Sequence, residues 1–153
     1  METLIDKKII LTPADEKTNI LVPFTVTKDY EKLVIDYSYS PKELGDCPRA
    51  MELIEENLRK DTGEDRTLYP DYKEFLPLKN LVTLSLDGPE GYIGAAHRQD
   101  DVQHHIISRD FSSRGFQKSE IRKGEWLVYL NVHALVTDEC ECILKIQGGN
   151  GDE

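Results

Sequence analysis

The densest set of side chains able to do chemistry is the run His97-Arg98-Gln99-Asp100-Asp101-Val102-Gln103-His104-His105. Imidazole and carboxylate groups are the usual ligands of transition metals. A bend at 99–101 would turn His97 toward His105, with Asp100 and Asp101 supplying oxygens for a small metal-dependent hydrolase. A bend there would equally make a plain polar hairpin flanked by histidines. His104 and His105 are adjacent, so a strand would send them to opposite faces, where one ion cannot easily take both. Tyr92, His97, Arg98, Arg109 and Arg114 form a second candidate set, a ligand-binding surface of one ring and several cationic groups around the hairpin.

Nucleophilic catalysis finds no comparable arrangement. The chain has no G-x-S-x-G elbow, no glycine-rich phosphate loop ahead of a helix, and no H-E-x-x-H or His-x-His. Ser112-Ser113 lies in a polar loop with no base at motif spacing. We therefore expect a non-catalytic protein with no cofactor. Tyr30, Tyr69, Tyr72, Phe75, Tyr92, Phe111 and Phe116 fall at strand ends or in loops. Rings there either pack the core or stack on sugars, so a carbohydrate-binding module is a further alternative.

Composition narrows the partners. The formal charge of −10 opposes binding to nucleic acid and to anionic membranes, both of which call for clustered Lys and Arg. A protein partner, self-association, or a small-molecule or sugar ligand remains. No apolar run is long enough to span a bilayer. The opening Met1-Glu2-Thr3-Leu4-Ile5-Asp6-Lys7-Lys8 lacks the basic and apolar regions of a secretory leader. Three cysteines, Cys47, Cys140 and Cys142, make an odd number without such a leader, as expected of free thiols in the reducing cytoplasm. Cys140 and Cys142 would share one strand face, and core burial is expected for both.

The elements that must position these groups read as strands. Leu33, Ile35, Tyr37 and Tyr39 alternate with Lys32, Asp36 and Ser38. The same period places Ile20, Val22, Phe24 and Val26 together, with Pro23 marking an edge or a bulge. It recurs in Val82, Leu84 and Leu86; in Trp126, Val128, Leu130 and Val132; and in Cys140, Cys142, Leu144 and Ile146. Residues 102–109 alternate Val102, His104 and Ile106 against Gln103, His105 and Ile107. Weaker strands are expected over 4–11 and 92–97. Asp87-Gly88-Pro89-Glu90-Gly91 and Arg122-Lys123-Gly124-Glu125 are turns. Short strands punctuated in this way predict a mainly β fold, a single antiparallel sandwich of jelly-roll type over 1–147.

Residues 41–60 interrupt the pattern. Ser40-Pro41-Lys42-Glu43 has the form of a capping box with Pro at the first helical position. Met51, Ile54 and Leu58 recur at helical spacing on a second helix from Cys47-Pro48 to about Lys60. A short helical insertion is therefore expected, then a long loop over 61–79. Residues 148–153 hold no apolar side chain and are expected to fray.

The order of features over 20–147 resembles the β-sandwich accessory domain that precedes the catalytic domain in carbaryl-hydrolase-like PHP-type metallohydrolases. The similar stretches are Val22-Pro23-Phe24-Thr25-Val26, Leu33-Val34-Ile35-Asp36-Tyr37-Ser38-Tyr39-Ser40-Pro41 and Leu84-Ser85-Leu86-Asp87-Gly88-Pro89. They continue with Gly94-Ala95-Ala96-His97-Arg98, Ile107-Ser108, Gly115-Phe116 and Lys123-Gly124-Glu125-Trp126-Leu127-Val128. The resemblance implies an accessory fold. The His-x-His of the metallohydrolase domain does not occur in this sequence, so its hydrolase activity is not implied. Ala96-His97 also stands where relatives carry a tryptophan.

Overall fold

The computed structural model describes residues 1–44, 52–53, 56, 78–96 and 99–151. Eight strands follow in chain order: β1 (Glu2–Leu11), β2 (Thr18–Val26), β3 (Lys32–Ser40), β4 (Leu81–Gly88), β5 (Gly91–Ala96), β6 (Val102–Ser108), β7 (Gly124–Ala134) and β8 (Cys140–Gly149). They form two four-stranded sheets, ordered β1-β8-β3-β6 and β2-β7-β4-β5, with every pairing antiparallel. One apolar core lies between them, so the molecule is mainly β and a β-sandwich. No helix among the described residues is long and apolar enough to cross a membrane.

The two-residue period sets the packing. Leu33, Ile35, Tyr37 and Tyr39 of β3 face Val82, Leu84 and Leu86 of β4 and Val128, Leu130 and Val132 of β7, all at most 2% exposed. Cys140 and Cys142 join this core as fully buried free thiols. Pro23 sits on β2, which pairs with β7 alone, so its missing N–H falls on an edge strand where it breaks no ladder.

Two expectations are corrected. Ser40-Pro41-Lys42-Glu43 does not cap a helix. Ser40 ends β3 opposite Glu141, and Glu43 bridges Lys79. The Lys42 carbonyl accepts from Asn80 N at 2.7 Å, and Leu44 N donates to the Leu78 carbonyl at 2.9 Å. Long-range pairing with 78–80 thus takes the backbone groups that a local cap would have used. Of the second helix, Glu52, Leu53 and Glu56 have helical backbone; Met51, Ile54 and Leu58, and the loop over 61–77, lie outside the described residues. The second correction is at the other terminus, where Gly148 and Gly149 belong to β8 instead of fraying. The Tyr30 ring rests on Gly148, and a Cβ there would stand 2.6 Å from Tyr30 Cδ2. The missing side chain is what allows the ring to seal this end of the strand. Glu31 continues the contact, its N–H donating to the Gly149 carbonyl and its carboxylate accepting from Gly151 N. Residues 152–153 lie outside the described residues.

Asn80 closes the end of the sandwich where β3 finishes. It is 1% exposed. Its Nδ2 donates to the Pro41 carbonyl and to Thr137 Oγ1, each at 2.8 Å, and its Oδ1 accepts from Val136 N at 2.7 Å. One side chain thereby joins the β3–β4 connection to the β7–β8 turn. Removing it leaves several buried polar groups unsatisfied, so Asn80→Ala is expected to destabilise the fold by about 3 kcal/mol in urea unfolding.

Tyr37 and Tyr39 add buried hydroxyls beside Asn80. Tyr37 donates to the Val82 carbonyl at 2.9 Å, and Tyr39 to the Gln99 carbonyl at 3.2 Å. Burial, then the charge of Asp101, pushes Tyr39 up to about 12. Burial, then Cys142, pushes Tyr37 up as well. An acid whose folded pKa exceeds its unfolded value stabilises the fold fully below the unfolded pKa. That stabilisation is lost as pH rises through the folded value. For Tyr39 the window runs from 10.0 to about 12. Urea midpoints taken across that range are expected to fall, and to fall less steeply in Tyr39→Phe.

Candidate functional site

The residues that sequence proximity groups together are divided by β6. Asp100 and Asp101 precede this strand and Arg109 follows it. Six steps at about 3.3 Å separate its ends by roughly 20 Å. At the first end the Asp101 carbonyl accepts from Tyr39 N at 2.9 Å, and the Asp100 carbonyl accepts from Gln103 Nε2 at 2.9 Å. His105 points into the core at 1% exposure, its Nε2 paired with Gln103 Oε1 at 2.8 Å and its ring 5.0 Å from that of Phe116. His104 points to solvent and pairs through Nδ1 with Asp36. The two histidines thus take opposite faces, as a strand dictates. Asp100 and Asp101 sit at the strand's start while His105 is interior, so these three do not converge. Among the described residues no group of three or more His, Cys, Asp or Glu side chains is placed to hold a metal ion. His97 and Arg98 lie outside the described residues.

Tyr92 and Arg109 sit at the other end, where β2 leads into β3 and β4 turns into β5. Tyr92 is the second residue of β5, opposite Asp87, and is 60% exposed. Arg109 follows β6 and lies 3.6 Å from the Asp110 carboxylate. Arg114 is exposed on the connection between β6 and β7. Among the loop aromatics, Tyr30 and Phe116 fill the core, while Tyr92 and Phe111 stay exposed. Tyr69, Tyr72 and Phe75 lie outside the described residues.

That connection, residues 109–123, is a strap across the open side of the sandwich. β5 and β6 are the outer strands of their sheets, and each would otherwise show unpaired backbone groups. The strap serves both. Ser113 N donates to the Ile106 carbonyl at 2.9 Å, and the Gly115 carbonyl accepts from Ala95 N at 3.1 Å. Gln117 N then donates to the Ile93 carbonyl at 2.8 Å, and Ser119 N returns to the Ser108 carbonyl at 3.0 Å. Phe116 drops into the gap between the sheets. Ile121 follows it inward, and its carbonyl accepts from Tyr30 N at 2.9 Å.

With Ile121 directed inward, Glu120 and Arg122 both project to solvent. Arg122 Nε donates to Glu120 Oε2 at 2.8 Å, with Nη2 on the same oxygen, and Nη1 lies 3.9 Å from Glu90 Oε1. The hydrogen bond to Glu120, then its charge, raises the Arg122 pKa above its ordinary value. This ion pair lies between two clefts. The first, about 320 Å³, is bounded by the β4–β5 hairpin with Glu90 and Tyr92, by Lys118 on the strap, and by Trp126 beneath. Trp126 is held by its Nε1, which donates to the Arg122 carbonyl at 3.0 Å. The second, about 780 Å³, opens between Asp29–Lys32 and the start of the strap at Arg109–Phe111. Of the sequence-derived candidates, Tyr92 and Arg109 line these clefts, and Glu90, Glu120 and Arg122, which were not among the candidates, line them too. The one available signal was the triplet Glu120-Ile121-Arg122, where alternation puts both charges on one side.

No protein-family model matches the chain, and neither the curated proteins nor the solved structures contain a match.

The strap's position rests on two glycines. Gly94 has φ +154 and Gly115 has φ +97. A Cβ on Gly94 would stand 2.3 Å from the Gly115 carbonyl oxygen, and one on Gly115 would stand 2.2 Å from the Ala95 oxygen. Gly94→Ala and Gly115→Ala are each expected to destabilise by at least about 3 kcal/mol, clash adding to backbone strain. Gly91, at φ +128 with nothing within 4 Å of its Cβ, isolates the strain alone. Gly91→Ala is expected to cost about 1–2 kcal/mol in the same urea titration.

Proposed function

We propose that this chain is a stand-alone, non-catalytic β-sandwich module that binds a ligand or protein partner through the end carrying Tyr92, Arg109 and Arg122. The observation that carries this reading is the pair of clefts flanking the Glu120–Arg122 ion pair. They are walled mainly by connections, with strand ends completing them, while the strands behind are fixed by a continuous core, the usual division between a rigid scaffold and the loops that work on it. Strand order supports a jelly roll, since β1-β8-β3-β6 over β2-β7-β4-β5 is the arrangement made by two Greek keys. The accessory role follows the resemblance to the domain preceding carbaryl-hydrolase-like catalytic domains. A cytoplasmic setting belongs to the same proposal, supported by the free thiols of Cys140 and Cys142.

Two measurements test it. A binder of the folded state raises the melting temperature by mass action, about 2.7 kcal/mol of stabilisation at a hundred times its dissociation constant. The proposal expects such a rise with its ligand and a smaller one in Arg122→Ala. It expects no turnover of nitrophenyl ester, anilide or phosphate substrates, with or without Zn²⁺ or Mn²⁺. Turnover that disappears in His97→Ala would refute the non-catalytic reading in favour of a metal-dependent hydrolase.

A further inference from the structure

Resting on the binding-module reading, the geometry points to a short, neutral saccharide as the ligand class of the two clefts beside Arg122. The argument begins with charge. The chain as a whole carries −10. The first cleft nevertheless balances Glu90 and Glu120 against Lys118 and Arg122. The second sets Asp29, Glu31, Asp110 and Glu120 against Lys32, Arg109 and Arg122. Near-balance of this kind selects against a charged ligand, since an anion would meet carboxylates and a cation would meet guanidinium groups.

Many of these charges are already held in place. Arg122 is bonded to Glu120, Arg109 lies beside Asp110, Asp29 accepts from Lys123 N at 2.8 Å, and Glu31 accepts from Gly151 N at 2.7 Å. Each pairing leaves capacity over. A carboxylate offers about four lone-pair sites and a guanidinium five N–H donors. The result is an array of acceptors beside donors, close to charge balance with five acids against four bases, and matched to vicinal hydroxyls. Such hydroxyls donate to carboxylate oxygens and accept from guanidinium N–H groups.

Exposed rings supply the other half of a sugar's chemistry. Tyr92 at 60% exposure lines the first cleft and Phe111 at 56% lines the second, one ring on each side of the ion pair. An exposed ring has no packing reason to be apolar, whereas the C–H face of a pyranose can cover it. A cleft of 320 Å³ lies at the small end of ligand sites. It fits one or two sugar rings, and the second cleft could take the extension.

Amide-shift mapping on the isotope-labelled full chain tests this. The probes are maltotriose, cellotriose, xylotriose, mannotriose, galactobiose and chitotriose, with inorganic phosphate and trilysine as charged controls. The expected result is a saturable shift at Tyr92, Phe111, Ser119 and the Trp126 indole with at least one saccharide and with neither control. Trp126 is the chain's single tryptophan, so its indole signal is unambiguous. Tyr92→Ala or Phe111→Ala is expected to weaken that binding roughly tenfold with the melting temperature unchanged, because both rings are exposed. Shifts at these positions with phosphate or trilysine and with no saccharide would overturn the saccharide assignment while leaving the binding module standing. Silence with every probe would overturn the assignment and remove the clefts as the module's binding site.

Discussion

The close passage of two backbones at Gly94 and Gly115 is the constraint on which the site depends. A four-on-four sandwich leaves two strand edges exposed on each side. On the side of β5 and β6 a single segment satisfies both edges, which requires it to run within one hydrogen bond of each. Only residues without a Cβ fit at the point of nearest approach. Once the strap is fixed there, the rest follows along the chain. Phe116 and Ile121 enter the core, Glu120 and Arg122 are turned outward on either side of Ile121, and Trp126 is tied to the Arg122 carbonyl. The clefts are the spaces left between this strap and the two neighbouring connections.

The scaffold was legible because alternation is a local signal with a global cause. Leu33, Ile35, Tyr37 and Tyr39 can share one face only as a strand, and burial of that face fixes the register. The same alternation sends His104 to solvent and His105 to the core. Legibility failed where a long-range partner competed with a local motif. Ser40-Pro41-Lys42-Glu43 matches a capping box, but its backbone pairs with 78–80, more than thirty residues away in sequence. Gly148 and Gly149 have no side chains to bury, so no apolar pattern reveals that Tyr30 covers one of them and that both continue a central strand.

The site was legible only in part, for a reason set by strand length. Asp100, Asp101 and Arg109 are close in sequence, yet a seven-residue strand places them at opposite ends of a sheet. Proximity along an extended chain implies distance in space, the reverse of what a helix would give. Tyr92 and Arg109 were candidates as sequence neighbours of the 97–105 hairpin, and the structure sets both at the rim opposite Asp100 and Asp101. Arg122 was recognised only as part of a turn. Its role as a divider depends on Glu120, on Glu90 from another hairpin, and on Ile121 turning inward, and only the first of these is a sequence neighbour at strand spacing.

The two ends of the sandwich solve opposite problems, and the contrast bears on function. Where β3 finishes, Asn80 ties two connections together, and the hydroxyls of Tyr37 and Tyr39 are spent on carbonyl groups. Among the described residues, the buried polar groups at that end bond one another, which makes it resistant to opening. Where β6 finishes, the polar groups are charged, exposed and only partly satisfied by each other, and the rings of Tyr92 and Phe111 are each more than half exposed. The end built from Asn80 and the tyrosine hydroxyls lends the scaffold rigidity, while the rim at the end of β6 presents Tyr92 and Phe111 beside charges whose bonding capacity is not filled.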